Sequence, residues 1–197
     1  PGSLLLNAQT KDKKFMIEEL KISSPYYTLL MHGDWSMSQM KHHIQFVGQM
    51  MISNLSKLLI QWGMTPVANT KNGVIEFNGS WSKALNKVSL KTLKGAIDVR
   101  FKKGNISHFD KQTEQKIGLG KLLSILSLQT LPRRLQLDFS DLATSGFPYD
   151  IFKGRFELNQ GLLHTADSQM DGPIAHVKMN GDLNILDKWY DLELQVY

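Results

Sequence analysis

Apolar and polar residues alternate one by one in short segments that recur along almost the whole of this chain. Successive side chains of a β-strand point to opposite faces, so each segment predicts a strand with one apolar and one polar face. Antiparallel sheets that are covered on one side have this pattern. The clearest segments are residues 27–32, 96–101, 135–140, 155–158, 175–180 and 192–197.

Two glycine-containing sequences predict short hairpin turns: residues 102–105 (KKGN) and residues 159–161 (NQG). Glycine readily adopts the positive φ that such turns require. A glycine followed by two alternating large apolar residues recurs at Gly95 and Gly154, and residues 72–79 are a looser copy. This recurrence indicates a weak internal repeat of hairpins.

A helical spacing of apolar residues interrupts the strands twice. The first helix is predicted from Leu55 to Trp62, where apolar residues recur at i, i+3, i+4 and i+7. We expect Ser53 or Asn54 to cap its start and Gly63 to end it.

A second helix with the same spacing is predicted to end before Pro132. We expect each helix to have about three turns and to measure ~15–18 Å, whereas each of roughly nine or ten strands spans ~23 Å. Two such helices cannot cover the sheet. Its apolar face must therefore curl on itself, pack on another sheet or stay partly open for an apolar ligand. The predicted fold class is mostly β with two short helices, a β-rich α+β fold.

The composition is that of a globular chain, with 42% hydrophobic and 21% charged residues. No apolar run is long enough to span a membrane. The net charge is +5, and its lysines are spread along the chain, which fits solvated strand edges or attraction to an anionic membrane surface. The absence of cysteine excludes disulfides and thiolate chemistry.

Residues 1–3 (PGS) are typical of the remnant of a cleaved tag. Both ends of the remaining sequence fall within predicted strands, so we expect a fragment of a longer protein. We predict that residues 4–63 are the end of a preceding β-repeat plus a helix. Residues 64–197 would then form a second, C-terminal β-rich region.

No residues show a catalytic or metal-binding spacing. His42 and His43 are neighbours on a predicted strand, so their side chains point to opposite faces and cannot bind one ion together. Neither His-Glu-x-x-His nor Gly-x-Ser-x-Gly occurs. Asp138 is expected on a polar strand face, Asp141 in a loop, and residues 171–173 (DGP) in a turn. We therefore predict no catalytic residue, no metal, no cofactor and no nucleic-acid partner.

Residues 118–142, GLGKLLSILSLQTLPRRLQLDFSDL, resemble the C-terminal region of YhdP-type proteins of the AsmA-like superfamily. The likeness continues through residues 146–158 (GFPYDIFKGRFEL), 161–167 (GLLHTAD) and 170–173 (MDGP). It extends more loosely back to Ile44.

The resemblance implies a long periplasmic protein that is anchored in the inner membrane by an N-terminal helix outside this chain. Such proteins resemble bridge-like lipid transporters, in which stacked β-repeats form a curved sheet with an apolar groove. The implied function is the movement of phospholipid between the inner and outer membranes of Gram-negative bacteria. No catalytic residues come with the family.

An apolar groove of this kind needs a continuous wall, which the alternating strands would supply. The candidate groove-lining residues are Ile75, Phe77, Ile97, Val99, Phe101, Leu135, Leu137, Phe139, Phe156, Leu158, Val177 and Met179. The second helix would serve as a plug or lid through Leu119, Leu122, Leu123 and Leu126. Arg133 and Arg134 are either solvated at a helix end or in contact with a lipid headgroup.

Two other functions stay open at this point. One is a scaffold or docking domain of an envelope protein, with a closed core and no lipid cargo. The other is a hydrolase acting on lipid or glycan, against which the missing nucleophile and acid pair argue.

Overall fold

The computed structural model describes residues 2–12, 14–38, 41–64, 66, 68–84, 87, 89–106, 147–187 and 189–197. Within them, ten strands form one antiparallel sheet, and one helix, α1 (Leu55–Gln61), follows the fourth strand. The prediction of a mostly β protein is confirmed. The strands are β1 (Ser3–Lys11), β2 (Lys14–Ser23), β3 (Tyr27–Ser38), β4 (Lys41–Ile52), β5 (Ala68–Trp81), β6 (Lys94–Ile106), β7 (Phe147–Asn159), β8 (Leu162–Asp171), β9 (His176–Asn184) and β10 (Trp189–Val196).

The sheet is open and uncurled, because its strands follow chain order and end in two edges, β1 and β10. Within the described ranges, extensive contacts join only neighbouring strands, apart from those of α1 with β5. The sheet also continues across the predicted domain boundary, since β4 pairs with β5 from Ile44 and Trp81 to Ile52 and Gly73. No helix in the described part of the chain is long and apolar enough to cross a membrane.

The register places the alternating apolar residues of successive strands on one face. Phe77 lies opposite Gly48 on β4 and opposite Ile97 on β6, and Ile97 lies opposite Phe156 on β7. Directly opposed residues share a face of the sheet. We call this side the apolar face and the other side the polar face.

Helix α1 is shorter than the predicted three turns, with seven residues. Asn54 is the cap, because its side chain accepts a hydrogen bond from the Lys57 backbone N–H at 3.0 Å. Gly63 has a φ of +71°, a left-handed conformation that ends the helix just beyond Trp62. The second predicted helix and the strand predicted at residues 135–140 lie outside the described residues.

Aromatic rings of the central strands lie over glycines of the adjacent strand. A Cβ added to Gly48 would lie 2.5 Å from Phe77 Cζ, and one on Gly73 would lie 2.9 Å from a ring carbon of Phe101. In each pair the ring and the glycine are directly opposite in register. The four pairs are Phe46 with Gly79, Phe77 with Gly48, Phe101 with Gly73 and Tyr149 with Gly104.

Two of the three predicted turns are confirmed. Gln160 and Gly161 have φ of 54° and 93° and join β7 to β8. The backbone N–H of Gly172 donates to Ala175 O at 3.1 Å in the connection from β8 to β9.

The turn predicted at residues 102–105 is wrong, because β6 continues through these residues to Ile106 and pairs on both sides. Lys103, and not Gly104, has the positive φ there, at 52°. Gly104 is needed for a different reason, which is the Tyr149 ring above it.

Among the residues that the structure describes, two buried clusters form most of the core. In the first, Ile52 of β4 packs with Leu55 and Leu58 of α1. In the second, Tyr149 packs with Met170, Ala175 and Val177. Phe101 is half-buried against both and thereby joins them.

Tyr149 should give this core a dependence on alkaline pH. Burial raises the pKa of its hydroxyl from 10.0 to about 12, although a hydrogen bond with Thr70 acts in the opposite direction. The folded state therefore favours the neutral phenol. This contribution to stability is fully present below pH ~10 and is lost as the pH rises from about 10 through about 12. Urea unfolding across this window should show a shallower decline for Tyr149→Phe than for the wild type. The exposed Tyr197→Phe is the control, and equal slopes for Tyr149→Phe and the wild type would contradict the prediction.

Gly79 tests the packing of rings on glycines, since the atoms nearest to an added Cβ all belong to the Phe46 ring. Gly79→Ala should lower the free energy of unfolding by about 1–3 kcal/mol, because the ring must move. In a Phe46→Ala background the same substitution should have a much smaller effect. Urea unfolding of the four proteins measures the coupling, and equal effects in both backgrounds would refute the explanation.

Candidate apolar binding face

The nine candidate groove-lining residues that the structure describes all lie on the apolar face. Their places follow from the register from β5 to β9 and from the alternation along each strand. They are Ile75, Phe77, Ile97, Val99, Phe101, Phe156, Leu158, Val177 and Met179. The remaining candidates lie outside the described residues: Leu135, Leu137 and Phe139 of the groove, Leu119, Leu122, Leu123 and Leu126 of the plug, and Arg133 and Arg134.

Burial divides these nine residues into two groups. Val177 belongs to a buried cluster, and Ile75 and Phe101 pack against the cluster that includes α1. Leu158 is also buried. The other residues are half-buried and lie outside both clusters: Phe77, Ile97, Val99, Phe156 and Met179.

In the middle of the apolar face the layer of side chains above the backbone is thin, because flat aromatic rings there lie over glycines. Phe46 and Phe77 lie with ring centroids 6.0 Å apart, and each covers a glycine of the other's strand. Gly95 and Gly154 continue the same face on β6 and β7. The surface formed by these rings and glycines is therefore shallow and apolar.

One end of this face has an aromatic cluster that the sequence analysis did not identify. The indole N–H of Trp35 donates to His42 Nδ1 at 3.1 Å, and the two rings stack with centroids 5.8 Å apart. Trp81 packs beside Phe46 at 5.5 Å. Trp81 Nε1 is buried, and no acceptor lies within hydrogen-bond distance among the described residues.

A signal for Trp81 was present in the sequence, since it continues the alternation of Ile75, Phe77 and Gly79. His43 lies on the polar face, where it contacts Gln45 at 2.8 Å, whereas His42 lies with Trp35 on the apolar face. The prediction that the two histidines point to opposite faces is confirmed.

The polar face carries charged cross-strand pairs. Arg155 and Asp98 form an ion pair at 2.9 Å across β7 and β6. A depression of about 690 Å³ beside them is lined mostly by charged residues, including Glu76, Arg100 and Lys153. Because these groups are exposed to solvent, the pairs contribute little to stability.

Two histidine–aspartate pairs connect β8 and β9 on the polar face. His164 lies 2.9 Å from Asp182, and His176 contacts Asp171. The hydrogen bond from His176 lowers the pKa of Asp171. Both are directly opposed pairs of the strand ladder, so their position is explained by sheet pairing.

Comparison with known proteins places the chain in one family. The family described as "YhdP protein" matches residues 2–197. The chain is 26% identical over 176 residues to "Intermembrane phospholipid transporter YhdP" of Escherichia coli (strain K12). The alignment covers 89% of this chain but 13% of that relative, so the chain spans a small part of the relative's length. No solved structure matches significantly.

The two residues Leu58 and Ile60 of α1 test the division between core and open face. Leu58 is 1% exposed beneath the helix, and Ile60 is 54% exposed on its outer side. Leu58→Ala should lower the free energy of unfolding by about 2–5 kcal/mol, because it leaves a cavity. Ile60→Ala should change it by less than about 0.5 kcal/mol. Thermal and urea unfolding measure both, and similar losses would show that α1 does not seal this end of the face.

Proposed function

This chain belongs to the YhdP protein family, and we propose that its apolar face carries the acyl chains of phospholipid on their way between two membranes. The relative from Escherichia coli is named an intermembrane phospholipid transporter. The chain would be one segment of a longer periplasmic protein that bridges the inner and outer membranes. A tether to the inner membrane would lie elsewhere in that protein.

The observation that carries the proposal is the half-buried apolar surface outside the two core clusters. Phe77, Ile97 and Phe156 lie directly opposite one another on three successive strands. They extend a single apolar row perpendicular to the strands. A conduit needs such continuity, since its cargo must move from strand to strand without leaving an apolar environment.

The energetic need for this surface is large. A phospholipid with two chains has ~30 methylene groups at about 0.8 kcal/mol each, so exposing both chains to water costs on the order of 20 kcal/mol. A shallow floor of rings and glycines that continues along the row lets cargo pass from one strand to the next. It therefore suits transport better than tight binding of one molecule.

The finer features of the proposal come from the sequence. In the longer protein the sheet would curve into a groove, and the helix with Leu119, Leu122, Leu123 and Leu126 would close it locally as a plug. Arg133 and Arg134 would contact the phosphate of a headgroup, since guanidinium groups bind phosphate through paired hydrogen bonds.

Ile97 provides the direct test. Ile97→Gln places an amide in the middle of the apolar row, where acyl chains offer it no hydrogen-bond partner. The matched control is Val47→Gln, because Val47 is 48% exposed and lies on the polar face opposite Asn78. We expect about tenfold less phospholipid bound by Ile97→Gln and no change for Val47→Gln.

The measurement is the binding of a spin-labelled phosphatidylcholine to the purified chain, with unfolding curves to show that both variants are folded. Equal binding by all three proteins would contradict lipid binding on the apolar face. A wild-type chain that binds no lipid would instead favour the scaffold function, with the apolar face as packing surface.

A further inference from the structure

Trp81 has an unsatisfied hydrogen-bond donor on the apolar face. Its Nε1 is buried, and none of the described residues supplies an acceptor. A buried donor without a partner has lost its hydrogen bonds to water and gained none in return. The neighbouring Trp35 does not have this problem, because its indole N–H donates to His42. The contrast indicates that an acceptor for Trp81 comes from outside the described residues.

The position of Trp81 is at one border of the apolar face. Phe15, Trp35, Ile44 and Trp81 are opposed in register across β2 to β5 and form the last complete apolar row at this end. Phe77 lies four residues away along β5, a distance of ~13 Å. An acyl chain on the central rings would therefore reach Trp81 with its polar end.

The opposite border is packed against the helix. There the row of Tyr27, Ile52, Gly73 and Phe101 contacts the core cluster of α1. Among the described residues, the one buried side-chain donor without a partner is Trp81 Nε1, at the other end. The two ends thus differ in what they offer to a polar group.

The chemistry of the Trp81 end suits the junction between acyl chains and headgroup. An indole has an apolar body and one N–H donor, which is why tryptophan is enriched where hydrocarbon meets polar groups. Ester carbonyls and phosphate oxygens at that junction are acceptors. Exposed lysines lie at the same ends of the strands, with Lys14 and Lys41 on the polar face: Lys14, Lys41 and Lys83.

We propose that the cluster of Trp35, His42 and Trp81 is the subsite for the polar part of a lipid, in which an ester or phosphate oxygen accepts the Trp81 N–H. This inference rests on the proposed lipid-carrying function and adds an orientation to it. The acyl chains lie toward Phe77 and the core clusters, and the headgroup lies at the lysine-bearing strand ends.

The experiment observes the four indole N–H groups of the ¹⁵N-tryptophan-labelled chain by nuclear magnetic resonance. Single Trp→Phe variants assign the signals. Three probes distinguish an ester oxygen from a phosphate oxygen as the acceptor. A diacyl phosphatidylglycerol has both groups, a diacylglycerol has esters alone, and a dialkyl-ether phospholipid has a phosphate but no ester. A pure hydrocarbon, hexadecane, is the control for apolar filling.

We expect phosphatidylglycerol to move the Trp81 N–H proton signal downfield, as a new hydrogen bond does, and hexadecane to leave it without such a shift. The probe with the single acceptor that reproduces the shift identifies the oxygen. Trp81→Phe should weaken phosphatidylglycerol binding about three- to tenfold, the value of one hydrogen bond, and leave hexadecane binding unchanged. Trp189→Phe, which alters a residue that is 45% exposed at the start of β10, should change neither.

Trp81→Phe should also keep the free protein folded, because it removes a donor that has no partner. Lipid binding without a downfield shift of Trp81, or with unchanged affinity in Trp81→Phe, would overturn the subsite and leave the proposed function intact. The absence of binding by every probe would overturn both.

Discussion

The contact of an aromatic ring with the glycine directly opposite is the interaction on which the central sheet depends. Phe46 with Gly79 and Phe77 with Gly48 cross the same pair of strands in both directions. Glycine weakens a strand, and a ring that covers it restores the lost packing. A register slip of one residue would place each ring on the wrong face and over a side chain. These contacts therefore align β4 to β7 and keep the apolar face low.

The two ends of the apolar face differ in what covers them. At one end, α1 and the residues around Tyr149 fill the space above the sheet and form the core. At the other end, Trp35 and Trp81 present indoles instead of aliphatic side chains. Between them lies a row of apolar side chains on three successive strands, Phe77, Ile97 and Phe156. The face thus has a sealed end, an apolar middle and a polar-aromatic end, which is the order of parts in a lipid lying along the strands.

Much of the fold could be predicted from local patterns, and the errors have a common cause. Alternation identified parts of β3, β6, β7, β9 and β10, and Asn54 was one of two predicted caps. The turn at residues 102–105 was wrong because Gly104 serves the Tyr149 ring, which is distant in sequence. The groove-lining candidates that the structure describes share one face, as alternation requires. Alternation could not show that Val177 is buried in the core while Phe77 is only half-buried, since burial depends on which strands and helices pack above each residue. The unpaired Trp81 N–H was missed for the same reason.

The sequence by itself determined the strands, their apolar sides, the start of α1 and the family, because these depend on the order of neighbouring residues. Only the tertiary structure decided that ten strands stay in one open sheet, which glycines lie beneath rings, and where the apolar face is sealed. The physical reason is that a strand shows both its faces in its own sequence. What covers a face, and whether a donor such as Trp81 Nε1 finds an acceptor, is settled by residues that the chain brings together only on folding.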